Sequence, residues 1–250
     1  MSDRPAAHPA RVALVTGGTR GIGRAIADRL RSDGLRVIAA ARTVEGEADI
    51  EADLARPGAG RELVRTVLER EGRLDVLVNN AGLQRVGSVE AVPVEAWNAM
   101  VAVHMTAPFE ATREALPAMR ANAFGRIVNV ASVHGLIGSA EKAPYTATKH
   151  GLVGLTKAVA LETAGEPITC NAVCPGFVRT ALIDDQIAAL MERDGLAREA
   201  AERALLGPRQ PSEHLIEPSA VAALVGYLCS ESAADVTGAA LPIDGAWTAR

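Results

Sequence analysis

Aromatic residues, cysteines and an excess of positive charge are all scarce in this chain of 250 residues, and each scarcity excludes a class of protein. Aromatic side chains make up 3% of the sequence and hydrophobic residues 48%, so the core must be mainly aliphatic. The formal net charge of −4 provides no basic excess to attract nucleic acids or anionic membranes. We therefore expect neither of these as a partner.

The chain contains only three cysteines, and no apolar run approaches the ~20 residues that cross a bilayer. Cys170 and Cys174 lie in an alternating, strand-like segment, where a separation of roughly 13 Å is too large for a disulfide. With Cys229, we expect three reduced, buried thiols and no metal site. The polar residues 1–11 contain no apolar signal core, so we expect a soluble, cytoplasmic protein.

Short apolar segments alternate with amphipathic ones along the chain. This alternation predicts an α/β fold, a single doubly wound Rossmann-type domain whose parallel seven-stranded sheet has helices on both faces. A long helix is predicted over residues 94–112, broken or bent near Pro108. Residues 181–206 predict one or two helices outside the repeat, and we interpret residues 181–216 as a substrate lid. Six strands can be placed, at residues 12–16, 36–41, 76–78, 126–131, 168–173 and 240–243.

Residues 16–23, Thr-Gly-Gly-Thr-Arg-Gly-Ile-Gly, follow the first predicted strand and open a helix. Glycines let the backbone turn sharply and approach a pyrophosphate, which a helix N-terminus attracts. The loop therefore predicts a dinucleotide site. Asp53 can accept a hydrogen bond from an adenine amino group, and a solvated loop acid is the alternative. The predicted contacts in the glycine loop are Gly17, Thr19, Arg20, Gly21, Ile22 and Gly23.

The end of the second predicted strand bears on the choice between NAD and NADP. NAD enzymes of this fold usually have an acid there, whereas this strand ends in Ala41 and is followed by Arg42. Arg42 and Arg20 can embrace a 2′-phosphate, which favours NADP. The alternative is an exposed Arg42 paired with Glu45 or Glu47, and an Arg20 that faces solvent.

Tyr145 and Lys149 lie four residues apart in a predicted helix, and Ser132 precedes the tyrosine by thirteen positions. A free tyrosine titrates near ~10, and a cation on the same helix face favours phenolate. We therefore expect Lys149 to lower the pKa of Tyr145 toward the range of a general acid/base. Ser132, at the end of an apolar strand, can hold a substrate oxygen. A surface Tyr–Lys pair is the alternative.

These motifs occur in order with Asn-Asn-Ala-Gly at residues 79–82 and Cys-Pro-Gly at 174–176. With these motifs in this order, the chain resembles the short-chain dehydrogenase/reductase family over essentially its whole length. The resemblance implies that Tyr145 is the acid/base, that Lys149 lowers its pKa and holds the nicotinamide ribose, and that Ser132 orients the substrate. It also implies a tetramer, and further cofactor contacts at Leu54, Asn80, Ala81, Gly82, Pro175, Gly176, Val178 and Thr180.

One position departs from the family pattern. His104 lies in Val-His-Met-Thr-Ala-Pro-Phe, residues 103–109, where the family usually has a catalytic asparagine that supports a water in a proton relay. A neutral imidazole can both donate and accept a hydrogen bond, so His104 can replace that asparagine as a catalytic residue. A structural hydrogen bond is the alternative.

Within the family, the chain resembles most the bacterial D-3-hydroxybutyrate dehydrogenases, for example in residues 148–157. This likeness leans toward NAD and implies oxidation of a short 3-hydroxy acid, most of all D-3-hydroxybutyrate to acetoacetate. Phe177 occupies a substrate-pocket position where that group tends to have tryptophan. The residues that match the carboxylate-binding side chains of that group are Gln84, His134, Lys142 and Gln186.

Two other interpretations stay open. A 3-oxoacyl-thioester reductase or polyol dehydrogenase of the same family would have no need of Lys142 for a substrate carboxylate. A catalytically weak nucleotide-binding sensor would keep the fold and bind the cofactor without hydride transfer, since a fold alone does not establish an activity.

Overall fold

The computed structural model describes residues 10–44, 46, 49–207 and 209–249. Its strands run parallel in one sheet, in the order β3-β2-β1-β4-β5-β6-β7. The order reverses between β1 and β4, which is where doubly wound sheets bind ligands. The predicted α/β fold with a parallel seven-stranded sheet is confirmed. The bounds are β1 Val12–Thr16, β2 Arg36–Ala41, β3 Ile50–Glu51, β4 Val76–Asn79, β5 Gly125–Val130, β6 Ile168–Pro175 and β7 Ala240–Ile243.

Helices cover both faces of the sheet. The bounds are α1 Gly21–Ser32, α2 Ala59–Glu71, α3 Val94–Val101, α4 Ala107–Ala121, α5 Ala143–Glu162, α6 Ala181–Asp194, α7 Arg198–Leu206 and α8 Pro218–Cys229. Helices α2, α4 and α5 pack on one face, and α1 and α8 on the other. No helix among the described residues is long and apolar enough to cross a membrane.

The strands are apolar runs because both faces of a parallel sheet are buried. Successive side chains point to opposite faces, so in β1 Leu14 packs toward α2 and α4 while Val15 packs toward α1 and α8. Among the described residues, the largest fully buried side chains are leucine, isoleucine and methionine, as the low aromatic content predicts. The three cysteines are free and buried, with Cys170 and Cys174 on β6, which confirms the prediction of buried thiols without a disulfide.

The helix predicted over residues 94–112 is interrupted close to Pro108, as predicted, but its predicted end is wrong, because the helix continues beyond residue 112. Helix α3 stops at Val101, a π-helical turn follows at Ala102–Thr106, and α4 continues to Ala121. The interruption therefore precedes Pro108, which lies in the first turn of α4. The π-helical turn contains His104. Such turns are rare and occur frequently at functional sites.

Strand β3 could not be placed from the sequence because two residues are too few to show an alternation. It pairs with β2 through Ala40 and Ala41. The loop between the two strands is described only in part. Glu45 and Glu47, the alternative partners of Arg42, lie outside the described residues, as do residues 1–9 of the polar N-terminal segment.

Residues 181–216 leave the body of the protein after β6, and their last residues bond back to it at several positions, among them Gln210 and Ser212. A parallel bridge joins Val178 to Ile216. Within it, the Arg179 amide donates to the Ile216 carbonyl oxygen at 2.9 Å, and the Ile216 amide donates to that of Phe177 at 2.9 Å. The segment contains α6 and α7, which agrees with the prediction of two helices, and both pack in a hydrophobic cluster that also includes Trp247.

Helices α2 and α4 approach each other at a glycine. A Cβ added at Gly60 would lie 2.3 Å from the carbonyl oxygen of Ala107. On the same contact, the Glu110 carboxylate accepts from the amides of Gly58 and Gly60, at 3.2 Å each. It thereby satisfies two amides at the start of α2 that have no partner within the helix.

We expect Gly60→Ala to lower the free energy of unfolding by roughly 1–3 kcal/mol, because the backbone of α4 must move to admit the methyl group. Urea denaturation followed by circular dichroism, at fixed protein concentration, measures this change. Gly154→Ala is the matched control, since an added Cβ there, in α5, meets nothing within 4 Å. The control should gain about 0.5–1 kcal/mol. Equal effects of the two substitutions would contradict the close packing.

Candidate active site

The loops that follow β1, β4, β5 and β6 line one cavity of about 900 Å³. Every residue predicted to contact cofactor or substrate lies on its wall, and so do Ser132, Tyr145 and Lys149 of the predicted catalytic set. His104 is the exception among the described residues: it lies behind the wall and is 1% exposed. The topology therefore brings the predicted residues together, because the carboxyl ends of parallel strands meet at one edge.

The glycine loop forms one end of the cavity. Gly17 adopts a φ of 64°, a value that favours glycine. A Cβ at Gly23 would lie 2.1 Å from the carbonyl oxygen of Gly17, so no larger residue fits there without backbone movement. Helix α1 begins at Gly21 on the wall of the cavity. Its N-terminal amides and dipole suit a pyrophosphate.

Hydrogen bonds of Thr16 connect the glycine loop to the loop after β4. Its Oγ1 accepts from the amides of Asn80 and Ala81, at 2.9 and 3.0 Å. In return, the Asn80 side-chain amide donates to the Thr16 carbonyl oxygen at 2.9 Å. Two neighbouring strand ends are thus held in one rigid arrangement, as a dinucleotide that spans both requires.

The same end of the cavity also carries charged side chains. Arg20 and Arg42 are exposed on the wall. Asp53 is also exposed, and its Oδ1 accepts from the Ala55 amide at 3.0 Å. Leu54 is buried beside it. This part of the wall therefore offers two cations and one acid to a ligand.

Helix α5 presents Tyr145 and Lys149 to the cavity. The Lys149 Nζ donates to the Val130 carbonyl oxygen at 2.8 Å and lies 5.6 Å from the centroid of the Tyr145 ring. Burial lowers the pKa of Lys149 to about 8. The Lys149 side chain is still mainly a cation at neutral pH. Its hydrogen bond to Val130 holds it at the end of β5.

The expectation that Lys149 lowers the pKa of Tyr145 is wrong for the protein without bound ligands. Burial raises this pKa, and the side-chain hydrogen bond with Ser132 acts in the opposite direction. Removal of the hydroxyl from water favours the neutral phenol more than the nearby groups favour the phenolate. Tyr145 is therefore a protonated phenol at neutral pH.

Ser132 follows β5 in an extended conformation. Its Oγ accepts from the His134 amide at 3.2 Å, which begins the short helical turn Val133–Gly135. The hydroxyl hydrogen is free to point toward Tyr145 or toward a substrate oxygen. Ser132 and Tyr145 thus offer two hydroxyl groups to one point of the cavity.

Beyond this pair, the wall carries a cation and a neutral histidine. The Lys142 Nζ lies 5.9 Å from the centroid of the Phe177 ring, and burial lowers its pKa. Burial, with the charge of Lys142, lowers the pKa of His134 to about 4. The backbone of Ile137 opposes this shift, yet the His134 Nδ1 is buried without a hydrogen-bond partner among the described residues.

The two predicted glutamines lie on either side of this region. Gln84 is half-buried in the loop after β4, and Gln186 is half-buried on α6. The Gln186 Nε2 donates to the Leu182 carbonyl oxygen at 3.3 Å, within its own helix. The side-chain oxygen of Gln186 accepts no hydrogen bond from a described residue. Gln84 and Gln186 can therefore both offer polar groups to a ligand.

Trp247 is a wall residue that the sequence reasoning did not assign to the site. Its ring packs against Phe177, with centroids 4.9 Å apart, and against His134 edge-on at 5.5 Å. The Asp244 carboxylate accepts from the Thr248 amide at 2.8 Å and holds the turn that carries the tryptophan. The available signal was compositional, since only two tryptophans occur in the chain.

His104 has partners on both ring nitrogens. Its Nε2 lies 3.1 Å from the Leu83 amide, and its Nδ1 lies 3.0 Å from the Thr148 Oγ1. The ring meets that of Tyr145 edge-on, with centroids 5.5 Å apart. Burial, with the charge of Lys149, lowers the pKa of His104 to about 2.

Comparison with known proteins agrees with this geometry. The sequence model of the family described as short chain dehydrogenase matches residues 11–189. The chain belongs to the short-chain dehydrogenase family. It is 41% identical to a D-beta-hydroxybutyrate dehydrogenase of Cupriavidus necator, over 96% of this chain and 98% of that protein. A putative ketoacyl reductase of Streptomyces coelicolor is 42% identical over the same shares, 96% and 98%.

Solved structures give the same assignment. An actinorhodin polyketide ketoreductase variant crystallised with NADPH superposes with a TM-score of 0.87, at 40% identity, over 95% of this chain and 97% of that one. An aldohexose dehydrogenase of Thermoplasma acidophilum has the same TM-score of 0.87 at 32% identity, over 96% and 95% of the two chains. Both resemblances predicted from the motifs, to the family and to the D-3-hydroxybutyrate dehydrogenases, are confirmed.

The depressed pKa of His104 predicts a pH-dependent contribution to stability. In acid the unfolded chain protonates this residue below about pH 6.5, whereas the folded chain keeps it neutral down to about 2. Stability is therefore lost as the pH falls below about 6.5. Between about pH 7 and 5, the free energy of unfolding should fall by roughly 2 kcal/mol more in the wild type than in His104→Asn. Parallel pH profiles from urea denaturation of the two proteins would contradict this.

Proposed function

We propose that this oxidoreductase interconverts a short 3-hydroxy acid and its 3-oxo acid, most of all D-3-hydroxybutyrate and acetoacetate. The observation that carries the proposal is the pairing of Lys142 with His134 beside the hydroxyl groups of Ser132 and Tyr145. A partly buried ammonium beside a neutral histidine suits a carboxylate, because the ammonium supplies the opposite charge and an imidazole N–H can donate a hydrogen bond. A polyol or a neutral thioester has no negative charge to set against Lys142.

In this proposal the nicotinamide dinucleotide, when bound, supplies the hydride chemistry. The glycine loop and the N-terminus of α1 hold the pyrophosphate, and Asp53 and Leu54 receive the adenine. Asn80, Ala81 and Gly82 lie along the middle of the cofactor. The residues that receive the nicotinamide end are Tyr145, Lys149, Pro175, Gly176, Val178 and Thr180.

Tyr145 transfers the proton. During reduction its hydroxyl gives a proton to the developing alkoxide, and during oxidation its phenolate takes the proton of the substrate hydroxyl. Ser132 donates a hydrogen bond to the same substrate oxygen and fixes its position. The Lys149 ammonium favours the phenolate form and holds the nicotinamide ribose. Because burial raises the pKa of Tyr145, oxidation should become faster as the pH rises above neutral.

The substrate carboxylate lies against Lys142 and His134, with Gln84 and Gln186 as further donors. Phe177 packs against Trp247 and forms the apolar wall for the substrate methyl group. We also propose that residues 181–216 form a lid on a single catalytic domain. The bridge between Val178 and Ile216 and the hydrogen bond from the Phe177 amide to the Gln210 side chain anchor the C-terminal end of this lid.

We propose that NADP is preferred over NAD. Arg20 and Arg42 are exposed on the wall where the 2′ position of the adenosine ribose would lie. A pair of guanidinium groups suits a 2′-phosphate, because each presents several donors in a fixed plane. A related ketoreductase was crystallised with NADPH.

We propose a homo-oligomer, by family resemblance a tetramer, in the cytoplasm. Phe109 on α4 is 50% exposed and Leu161 on α5 is 79% exposed. Large apolar side chains at these levels of exposure suit an interface between copies of the chain. The three free thiols suit a reducing compartment. A monomer by light scattering would contradict the oligomer.

The direct test is an assay of the purified protein with D-3-hydroxybutyrate and either NAD⁺ or NADP⁺, followed by formation of the reduced nicotinamide. We expect turnover with both, and at least about tenfold higher kcat/KM with NADP⁺. Tyr145→Phe should bind cofactor and lose turnover. Arg42→Ser should reduce the NADP⁺ preference and leave NAD⁺ turnover unchanged. Cofactor binding without turnover of this substrate would contradict the proposed substrate.

A second variant separates the acid from a thioester. Lys142→Met should raise KM for D-3-hydroxybutyrate by on the order of tenfold or more, because a charge-assisted contact is lost. The matched control is the ethyl ester of the same hydroxy acid, whose KM should change by less than about twofold. Equal effects on the acid and the ester would favour the 3-oxoacyl-thioester reductase, which the ketoacyl reductase relatives support.

A further inference from the structure

A continuous chain of hydrogen bonds crosses His104. It begins at the Leu83 amide in the loop after β4, 3.1 Å from the His104 Nε2. It continues from the His104 Nδ1 to the Thr148 Oγ1 at 3.0 Å, and from that hydroxyl to the Tyr145 carbonyl oxygen at 3.0 Å. The chain thus joins the loop that lines the cavity to the turn of α5 that carries Tyr145.

The direction of these bonds assigns the tautomer of His104. The Leu83 amide can only donate, so Nε2 must carry a lone pair. The Thr148 hydroxyl has one hydrogen, and the Tyr145 carbonyl oxygen can only accept it. The hydroxyl must therefore accept from His104, which places the ring hydrogen on Nδ1. One neutral tautomer satisfies every group in the chain.

This arrangement leaves His104 no capacity to relay a proton. Both nitrogens have partners, and the ring is 1% exposed and lies behind the cavity wall. Protonation of Nε2 would turn two donors, the Leu83 amide and the new N–H, toward each other. The pKa of His104, lowered to about 2 by burial and by Lys149, agrees with a ring that stays neutral.

The backbone around His104 is shaped to receive the ring. A Cβ at Gly82 would lie 3.2 Å from the His104 Nε2, tighter than ordinary contact, so the glycine lets the loop reach the imidazole. On the other side, a Cβ at Gly151 would lie 2.3 Å from the Met105 sulfur. The π-helical turn is therefore packed directly on α5 through Met105, and the His104 ring lies against the loop at Gly82.

We infer that His104 is a positioning residue and not a proton relay. As a neutral ring protonated on Nδ1, it ties residues 80–83 to the first turns of α5 through Thr148, and so fixes the Tyr145 ring relative to the cofactor loop. The inference rests on the proposed role of Tyr145 as the acid/base. Thr148 is the second positioning residue, because its hydroxyl connects His104 to the Tyr145 carbonyl oxygen.

The first test needs no substrate. Long-range ¹H–¹⁵N correlation spectra of the whole protein, with the His104 signals assigned by their loss in His104→Asn, report the tautomer directly. We expect the hydrogen on Nδ1 and no titration from about pH 5 to 9. A hydrogen on Nε2, or a titration within that range, would overturn the inference. Because it uses the protein alone, this result stands even where D-3-hydroxybutyrate is not turned over.

The second test is kinetic and uses two identical substitutions on one helix turn. Thr148→Val removes the hydroxyl that links His104 to Tyr145, so we expect kcat with D-3-hydroxybutyrate to fall on the order of tenfold or more. Thr146→Val is the matched control, because the Thr146 Oγ1 is buried without a partner among the described residues. Its kcat should stay within about twofold of the wild type.

Two further readouts separate positioning from relay. Thr148→Ser keeps the hydroxyl, so its kcat should stay within about threefold of the wild type. In Thr148→Val, the midpoint of the pH–rate profile should be unchanged. The inference is overturned when Thr148→Val turns over like the wild type. It is also overturned when that variant moves the pH midpoint by about one unit or more, as loss of a relay would.

Discussion

The hydrogen bond from Lys149 to the Val130 carbonyl oxygen fixes the geometry on which the site depends. It joins the middle of α5 to the last residue of β5, two residues before Ser132. Tyr145 lies one turn earlier on the same helix, so a single buried contact determines how the phenol, the ammonium and the serine hydroxyl are arranged. The contact also holds the ammonium inside the protein. Burial lowers the pKa of Lys149 and, separately, raises that of Tyr145.

The same edge of the sheet is held together by contacts that require small residues. Gly23 packs on the backbone of Gly17 so closely that a methyl group would require the backbone to move, and Gly82 and Gly151 pack closely on the side chains of His104 and Met105. Thr16 adds hydrogen bonds between neighbouring loops. The result is a preorganised site, in which the loops do not need to order themselves around a ligand.

The framework is shared with proteins named for different substrates. Relatives and neighbours with comparable identity are a hydroxybutyrate dehydrogenase, a ketoacyl reductase and an aldohexose dehydrogenase. What differs must therefore lie in the parts outside the repeating pattern: the loop that carries His134 and Lys142, the segment 181–216, and the turn that carries Trp247. These parts line the cavity and contribute little to the sheet, so they can change while the fold is kept.

The sequence by itself determined the fold class, the family and more than half of the cavity wall, because apolar alternation and glycine spacing are local patterns that parallel β/α topology converts into one edge. It could not locate β3, which has two residues, or the π-helical turn before Pro108, whose register depends on packing against α5. Only the tertiary structure placed Trp247 on the wall and showed that burial raises the pKa of Tyr145. Only the tertiary structure decided the partners of His104, because those partners come from Leu83 and Thr148, which lie 21 and 44 residues away along the chain.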